Sequence, residues 1–578
     1  MKNTFRSKVM WSVVSAILLL YSCKDDFLDV PVTGQLDSKI LSGSLGLQAS
    51  LISVYSQVNG RAARMASPSN WVWGSIRGGE ANKGTDPGDF STINPVQRYE
   101  ALPTGDVIAE KWNGNYEGVA RANAVLKLLL TAAPEVTEGE KDLIAAQAKF
   151  LRAHFYFELT RGYHMVPYVD ETIDYGSGIE AVKNDVEIWD KIEADMSFAV
   201  DHLPETQAEV GRVNKSAAKA YLAKIYLYQH KYAAAKPLFD DVIANGKTSN
   251  GKTYALVPKY PDVFKASNDN NEETVWSYQA AANTGSVNNA NPEFDLNWPY
   301  NTGTDGPGNC CSFFQPTFEM ANSFRTSGAG LPLLDGSYNS DANQLATDMG
   351  LEASNPFTPD AGPLDPRIDH TIGRRGIPYL DWQDFPGKSW IRNQPNAGPY
   401  ETKKFVYYRT DKGSLQDNTS WTPGYTAINF PIIRFADVLL MAAEVEAEIG
   451  STAKAMEYVN RVRQRAKNSL LKRSDGSLAA NYNISLYSGS WSPDDARTAI
   501  RFERKLELGE EGHRFYDLVR WGIAAPTVNA FISYEAPKYG LGALTGAVFT
   551  AGEDEYLPIP QAQIDLLGSD VLKQNPGY

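Results

Sequence analysis

The sequence has 578 residues, of which 43% are hydrophobic, and its formal net charge at pH 7 is -14. A chain of this length is longer than one that folds around a single small hydrophobic core. Its composition is typical of a protein that is folded over most of its length. The acidic balance argues against nucleic-acid binding and against attachment to an anionic membrane through a basic patch.

The first thirty residues carry an export pattern. Lys2, Arg6 and Lys8 precede an apolar run over residues 9–20, which ends in Leu-Tyr-Ser-Cys. A basic start followed by a short apolar run predicts that residues 1–22 are a secretory signal peptide. Cys23 would then begin the mature chain and carry the acyl chains of a lipoprotein. The alternative is an ordinary signal peptide beside an incidental cysteine.

Helical periodicity dominates both ends of the chain. Apolar residues recur at helical spacing over 36–58, 107–130, 140–163 and 186–203. Each of the segments 216–246 and 435–466 then predicts two helices.

Small residues twelve positions apart mark both of these segments. They are Ala223 and Ala235 in the first and Ala443 and Ala455 in the second, which is the tetratricopeptide arrangement. Such pairs bury their faces only by stacking. The predicted fold is therefore mainly α, with tetratricopeptide-like helix pairs in an α-solenoid-like scaffold, and an unrelated helical bundle is the alternative.

Residues 250–425 lose this periodicity and are rich in Gly, Pro, Asn and Asp. Two short runs, 274–278 and 404–409, have the composition of strands. A loop-rich insertion of this size on a helical framework is either a binding surface or poorly ordered. We therefore divide the mature chain, 23–578, into a helical part at 23–249, a ligand-binding insertion at 250–425 and a second helical part at 426–578.

Aromatic residues in turn-forming surroundings are the candidate ligand contacts. In the insertion they are Trp276, Trp298, Tyr300, Tyr379, Trp382, Trp390 and Trp421, and an early loop adds Trp71 and Trp73. Flat rings suit the C–H face of a sugar, and Arg77, Glu80, Asp295 and Asn297 could bind its hydroxyls. The predicted ligand-binding residues are Trp73, Trp298, Tyr300, Trp71 and Arg77. Burial, or packing on a protein partner, is the alternative for each ring.

The sequence contains no motif that indicates a reaction, a metal site or a cofactor. It contains no P-loop, GxSxG or HExxH motif. After Cys23, only the adjacent pair Cys310 and Cys311 remains, and these cysteines could form a vicinal disulfide or stay reduced. Two cysteines and six scattered histidines do not make a structural zinc site. No EF-hand spacing supports calcium among the Asp-rich loops.

Residues 501–522 combine two apolar helical faces, interrupted at Gly512, with closely spaced acids and bases. The charged residues are Glu503, Arg504, Glu507, Glu510, Glu511, Arg514 and Asp517. We interpret the segment as a partly buried clamp that holds other helices together through ion pairs. The alternative is that Glu507 and Glu511 serve as acid and base of a glycosidase.

Several segments resemble one family. ERKLELGEEGHRFYDLVRWG, which begins at Glu503, is similar to the carboxyl-terminal signature of the SusD/RagB family. The final residues, YLPIPQAQIDLLGSDVLKQNPGY, look like the end of that family. Lys24-Asp25-Asp26 resembles its surface-export signal, and FLDVP at 27–31 resembles its entry motif.

The resemblance implies an outer-membrane lipoprotein that faces the cell exterior and is not an enzyme. Such a protein would capture a nutrient oligomer, with a glycan as first choice, and act as a lid over a SusC-like TonB-dependent transporter. Its helical face would meet the transporter, and its aromatic loops would meet the nutrient. Peptide capture of the RagB type and glycoside hydrolysis remain as alternatives.

Overall fold

The computed structural model describes residues 38–61, 64–174, 182–291, 294, 296–308, 310–417, 419 and 425–578. The predicted signal peptide and Cys23 lie outside these residues, as do Asp295 and Trp421. Within the described residues, no helix is both long enough and apolar enough to cross a bilayer.

Helices form most of the regular structure. The longer ones are α2 (Ser44–Tyr55), α4 (Asp106–Leu129), α5 (Glu138–Tyr163), α6 (Trp189–His202), α7 (Lys215–Tyr228), α8 (Tyr232–Asn245), α12 (Phe435–Ile449), α13 (Thr452–Lys467), α14 (Pro493–Glu507) and α16 (Ala524–Glu535). The shorter ones are α1 (Ser38–Leu41), α3 (Asn94–Gln97), α9 (Phe318–Ser323), α10 (Ile368–Thr371), α11 (Gln394–Ala397), α15 (Arg514–Arg520) and α17 (Gln561–Leu567). The prediction of a mainly α fold is confirmed.

The amino-terminal helices follow the predicted segments with shifts at their ends. Helices α4 and α5 match 107–130 and 140–163 closely, and the Thr137 side chain caps α5 by accepting a hydrogen bond from the Glu140 N–H. The single helix predicted over 36–58 is instead two, α1 and α2. They approach so closely that a Cβ on Gly46 would lie 2.3 Å from the Ile40 carbonyl oxygen.

Consecutive helices pack as hairpins that stack side by side. Helices α7 and α8 are joined by a three-residue turn, and Ala223 and Ala235 are fully buried where they pack. Ala443 and Ala455 are equally buried between α12 and α13. Helix α6 packs on both α5 and α7, and α8 packs on α12. Small side chains therefore lie where the sequence pattern placed them, and the pairs form one continuous stack.

Among the described residues, three two-stranded antiparallel sheets join distant parts of the chain. Strand β1 (Ala81–Gly84) pairs with β3 (Phe313–Pro316), β2 (Thr274–Tyr278) with β6 (Phe430–Arg434), and β4 (Ile372–Gly373) with β5 (Glu401–Thr402). The strand predicted at 274–278 is confirmed. Its pairing with β6 brings together the two ends of the loop-rich region.

The prediction of a strand at 404–409 is wrong, because that segment is a turn followed by irregular chain. Phe405 has a φ of +62°, which a strand does not allow. The Lys404 ammonium is buried and binds the Gly509 carbonyl at 2.6 Å and the Glu511 carboxylate at 2.7 Å. This long-range contact holds Lys404 inside the protein, and the local composition carries no sign of it.

The charged segment forms a buried ion network at the meeting of α14 and α15. The turn between these helices contains Gly512 with a φ of +76°, so the predicted break at that glycine is confirmed. The Glu507 carboxylate binds Arg434 at 2.7 Å and Arg367 at 3.0 Å, and it also pairs with Arg465. The segment is partly buried, as predicted: the carboxylates of the clamp are buried, whereas Arg514 is half-buried.

Electrostatics in this network keep Glu507 ionised. Burial by itself would raise the pKa of Glu507, but the nearby guanidinium groups of Arg465, Arg434 and Arg367 outweigh it and lower the pKa to about 2. Glu511 is equally buried and binds Arg434 and Lys404. A glycosidase acid needs a raised pKa and access to substrate, so this pair does not have the arrangement of a catalytic acid and base.

Candidate functional site

The early tryptophans lie in the interior of the protein. Residues Trp71–Ile76 form one π-helical turn, in which Trp71 is 2% exposed and Trp73 is 1% exposed. The Trp73 indole N–H donates to the Met65 carbonyl at 2.8 Å. The Trp71 ring packs edge-on against Phe314, with 5.7 Å between ring centroids. Neither ring presents a face to a ligand outside the protein.

This turn is a docking point for the carboxyl-terminal segment. The Arg77 guanidinium lies 4.0 Å from the ring centroid of Phe515 on α15 and also donates to the Asp554 carbonyl. Glu80 accepts a hydrogen bond from the Glu510 N–H at 3.1 Å, and burial raises its pKa to about 7. Arg77 and Glu80 therefore bind other parts of the chain, and both are buried.

Most aromatic residues of the loop-rich region also pack against one another. Trp298 is 1% exposed and belongs to a separate hydrophobic cluster with Tyr379, Phe385, Trp390, Ile391, Val406 and Tyr407. Its ring centroid is 5.1 Å from that of Tyr407. Trp276 and Asn297 are buried as well. Neighbouring Pro, Asn and Asp residues correctly predict loops, but these loops cover one another's rings.

Tyr300 is the predicted ligand residue that the structure leaves half-buried. Its backbone N–H donates to the Trp390 carbonyl at 2.7 Å, which fixes its position on the buried cluster. The Arg392 guanidinium lies 5.5 Å from the centroid of the Tyr300 ring. This distance is within the range of a cation–π contact.

Arg392 connects Tyr300 to the loop that follows β1. Its guanidinium binds the Asp86 carboxylate at 2.7 Å, pairs with Asp89 and donates to the Thr85 hydroxyl at 2.9 Å. Phe90, at the end of the same loop, is half-buried. We call the group Tyr300, Arg392, Asp86, Asp89 and Phe90 the Tyr300 surface.

Lys83 fixes the loop that supplies the acidic residues of this surface. Its buried ammonium donates to the carbonyls of Asp86 at 2.9 Å and Asp89 at 2.7 Å. Burial lowers the pKa of Lys83 to about 8, while the charges of Asp89 and Asp86 act in the opposite direction. Because the loop is bonded from inside, its outward groups keep their places without a ligand.

Comparison with known proteins identifies the family. Residues 272–578 match the sequence model of the SusD family, and residues 50–227 match a model described as starch-binding associating with outer membrane. This chain belongs to the SusD family. The resemblance carried by its carboxyl-terminal motifs is confirmed.

Full-length relatives share the fold of this SusD-family protein. It is 24% identical over 533 residues to SusD-like protein P2 of Formosa agariphila, covering 90% of this chain and 91% of that one. A SusD superfamily protein from Bacteroides vulgatus has a TM-score of 0.67 at 19% identity, covering 93% of this chain and 99% of that one. Surface glycan-binding protein A from Bacteroides thetaiotaomicron, in complex with laminarihexaose, has a TM-score of 0.61 at 20% identity, covering 92% and 99%.

Sequence reasoning did not find most of the Tyr300 surface in this SusD-family protein. Arg392 lies about three hundred residues from its partners Asp86 and Asp89, and spacing cannot reveal such a contact. The Asp-Pro-Gly-Asp turn at 86–89 was the available signal. Cys310 and Cys311, just before β3, form the disulfide that was one of two open alternatives. Among the described residues, no group of three or more potential ligands is placed to hold a metal ion.

Proposed function

We propose that this SusD-family protein captures a glycan oligomer at the cell surface and passes it unaltered to a TonB-dependent transporter, over which it acts as a lid. The observation that carries the proposal is the Tyr300 surface. A half-buried ring there suits the C–H face of a sugar, and the adjacent carboxylates and guanidinium can bind hydroxyls. The loop is fixed by Lys83, so binding does not require it to become ordered.

The relatives support a glycan as the ligand. One of the similar structures contains laminarihexaose, and one of the matching family models is described as starch-binding. That second description, with its reference to the outer membrane, also supports a location there. Attachment through an acylated Cys23 is part of the proposal, as is the hand-over to a transporter.

Two observations support capture without catalysis. Some relatives are named as binding proteins, among them surface glycan-binding protein A and starch-binding protein SusD. The carboxylates Glu507 and Glu511 are fully buried in ion pairs and so are removed from any bound substrate. Chromatography of a bound oligosaccharide after prolonged incubation should return it at its original length. Shortened products would contradict this part of the proposal.

Binding of defined glycans tests the main claim. The purified protein would be screened against glycan and peptide arrays, and a positive glycan would be titrated calorimetrically. Tyr300→Ala should weaken its binding about tenfold or more, equivalent to ~1.4 kcal/mol, because it removes the stacking face. Tyr226→Ala is the matched control, since Tyr226 on α7 is also half-buried and has the Lys231 ammonium 5.9 Å from its ring centroid.

The control should bind the glycan like the wild type. Equal affinity of Tyr300→Ala and wild type would remove the Tyr300 surface from the proposal. Binding to peptides alone would replace glycan capture by peptide capture. Co-purification of a TonB-dependent transporter with a tagged copy from outer membranes tests the hand-over, and its absence under mild detergent would count against the lid.

A further inference from the structure

Helix α2 is apolar on all sides, although one of its faces lies at the surface. Its twelve residues include no charged side chain. Leu47, Leu51 and Val54 are fully buried and face the core. On the opposite side, Leu45 is 87% exposed and Ile52 is 52% exposed. A helix that is apolar all round is normally covered all round, and the described residues supply no cover on this side.

The exposed side chains of α2 form a continuous stripe. Leu45, Ala49 and Ile52 follow one another at helical spacing, and Ala49 is exposed as well. Ile40 of α1 is exposed at the amino end of α2, where its carbonyl oxygen lies against Gly46. We call Ile40, Leu45, Ala49 and Ile52 the α2 face. Single apolar residues on a surface need no partner, whereas a contiguous apolar patch indicates one.

Other surface helices of similar length carry charges on their exposed sides. On α8 the Lys236 ammonium binds the Asp240 carboxylate at 3.1 Å, and on α13 Lys454 binds Glu457 at 2.9 Å. Such groups are well hydrated and favour contact with water. The α2 face has no charged group, so contact with water is less favourable there than on α8 or α13.

The chain that leads into α1 is also apolar. Residues 27–36 read Phe-Leu-Asp-Val-Pro-Val-Thr-Gly-Gln-Leu, with Asp29 as their one charged residue, and they end four positions before Ile40. Ten residues can reach roughly 33 Å, whereas α2 is about 18 Å long. The segment is therefore long enough to cover the α2 face from Ile40 to Ile52.

We propose that the α2 face is a docking site for residues 27–36 of the same chain. The covalent connection gives this segment a high effective concentration at the face, which a second copy or a separate partner lacks. A membrane is a less suitable occupant, because the net charge of -14 opposes approach to an anionic leaflet.

Docking would set the length of the free tether, a consequence that rests on the proposed acylation of Cys23. Residues 23–26 alone would then separate the lipid from the folded body, and four residues span at most about 13 Å. Docking thus holds the body close to the membrane, and release of the segment lets it rise. The docking itself does not depend on the lipid.

Protection from protease tests the docking. The full chain with Cys23→Ser carries no lipid, and chymotrypsin cleavage after Phe27 and Leu28 is followed by mass spectrometry. Leu45→Asp should raise the initial cleavage rate about five- to tenfold, because a carboxylate on the face opposes apolar docking and cleavage follows the undocked fraction.

Leu566→Asp is the matched control for this experiment. Leu566 lies on α17, is 76% exposed and receives the same charge. Its variant should be cleaved after Phe27 at the rate of the parent chain. Circular dichroism should show both variants folded, since both leucines are largely exposed. Equal cleavage rates in the parent chain, Leu45→Asp and Leu566→Asp would overturn the proposal.

Disulfide trapping locates the docked segment. Leu28→Cys is combined with Leu45→Cys in the Cys23→Ser chain, and mild oxidation should join the tryptic peptides on either side of Lys39. The control combines Leu28→Cys with Glu135→Cys. Glu135 is exposed, and its carboxylate lies 3.7 Å from the Cβ position of Gly43 at the same end of α2.

The pair at 28 and 45 should be trapped about fivefold more than the pair at 28 and 135, because docking raises the local concentration on the face alone. Equal yields would mean that the segment samples this end of the protein without docking, and would overturn the proposal.

Other occupants of the α2 face give different results. Protection of Phe27 in the acylated protein on liposomes, without protection in Cys23→Ser, would assign the face to the membrane and overturn the proposal. A dimer in sedimentation that Leu45→Asp dissociates would assign it to a second copy, with the same consequence. Glycan binding enters none of these measurements, so the proposed function is tested separately.

Discussion

Gly74 and Gly512 lie where two distant backbone segments touch. A Cβ on Gly74 would be 1.8 Å from the Gly512 carbonyl oxygen, and a Cβ on Gly512 would be 2.0 Å from the Ser69 carbonyl oxygen. Both obstacles are backbone atoms, which cannot rotate away. The early tryptophan segment is thereby fixed against the family's carboxyl-terminal signature, which explains why its rings are buried.

Gly74→Ala should destabilise the protein by about 3 kcal/mol, because the methyl group forces the two segments apart. Urea unfolding followed by circular dichroism would measure the loss as a lower midpoint. Gly139→Ala is the control, since a Cβ there meets nothing within 4 Å and the residue lies in the first turn of α5. That change should raise stability by at most about 1 kcal/mol. Equal midpoints for the two variants would contradict the contact.

The residue scale also shows where sequence reasoning stops. Neighbouring polar and turn-forming residues suggested loops for Trp73, Trp298 and Tyr300, but of these three only Tyr300 is half-buried. Whether a loop ring is covered depends on other loops far away in the sequence. For Trp298 the covering residue is Tyr407, and no local pattern relates these two positions.

At the scale of elements, the local periodicity of the sequence predicts those helices whose limits are set by interactions between nearby residues. The ends of helices α4 and α5 lie within two residues of the predicted ones, because apolar residues recur at helical spacing in both. A capping threonine also marks the start of α5. The strand prediction for 404–409 was wrong, and in the structure Lys404 of that segment forms a buried ion pair with Glu511, which is distant in the sequence. Short strands such as β4 depend entirely on their partner, so composition alone did not indicate them.

Substitution of Glu507, at the end of α14, tests whether the clamp stabilises the fold. Glu507→Gln should cost about 3–5 kcal/mol, because it removes one buried counter-charge that Arg434 and Arg367 share, although Arg434 keeps Glu511 and Arg367 keeps Asp365. The control is Glu457→Gln on α13, whose exposed pair with Lys454 at 2.9 Å should contribute at most about 1 kcal/mol. Chemical denaturation at pH 7 compares the two variants.

The depressed pKa of Glu507 predicts that the free energy of unfolding depends on pH. The pKa of Glu507 is about 2 in the folded protein, against an ordinary value of 4.5. Because the folded pKa is depressed, its contribution is fully present above pH 4.5 and is lost as pH falls towards 2. Wild type should therefore lose stability faster than Glu507→Gln over this window, by up to about 1.4 kcal/mol per pH unit. Parallel curves would show that folding does not depress the pKa of Glu507.

At the scale of the whole molecule, helices and loops share one interior. A single hydrophobic cluster contains Leu51, Phe294 and Leu518, one from each of the three segments into which the sequence was divided. The boundaries at 249 and 425 remain predictions, but the shared core and the β2–β6 pairing join these segments. A lid built this way would move as one body about its attachment to the membrane rather than by bending internally.

For the intact molecule, we predict attachment to the membrane through an acylated Cys23. Fifteen residues, 23–37, separate the predicted lipid from α1, and a chain of that length spans at most roughly 50 Å. We expect an acylated chain of that reach to let the protein rise from the proposed partner without leaving the membrane. In a host that processes lipoproteins, Cys23→Ser should move the protein from the membrane fraction to the soluble fraction, because several acyl chains provide the binding.

Fractionation and immunoblotting, with glycan affinity measured on the purified protein, check this expectation. The double variant Cys310→Ser and Cys311→Ser should stay in the membrane fraction, since that disulfide lies in the folded body next to β3. Glycan affinity of Cys23→Ser should equal that of the wild type, because the substitution changes no residue of the Tyr300 surface. Retention of Cys23→Ser in membranes after a high-salt wash would show that the folded body binds the membrane or a partner without the lipid.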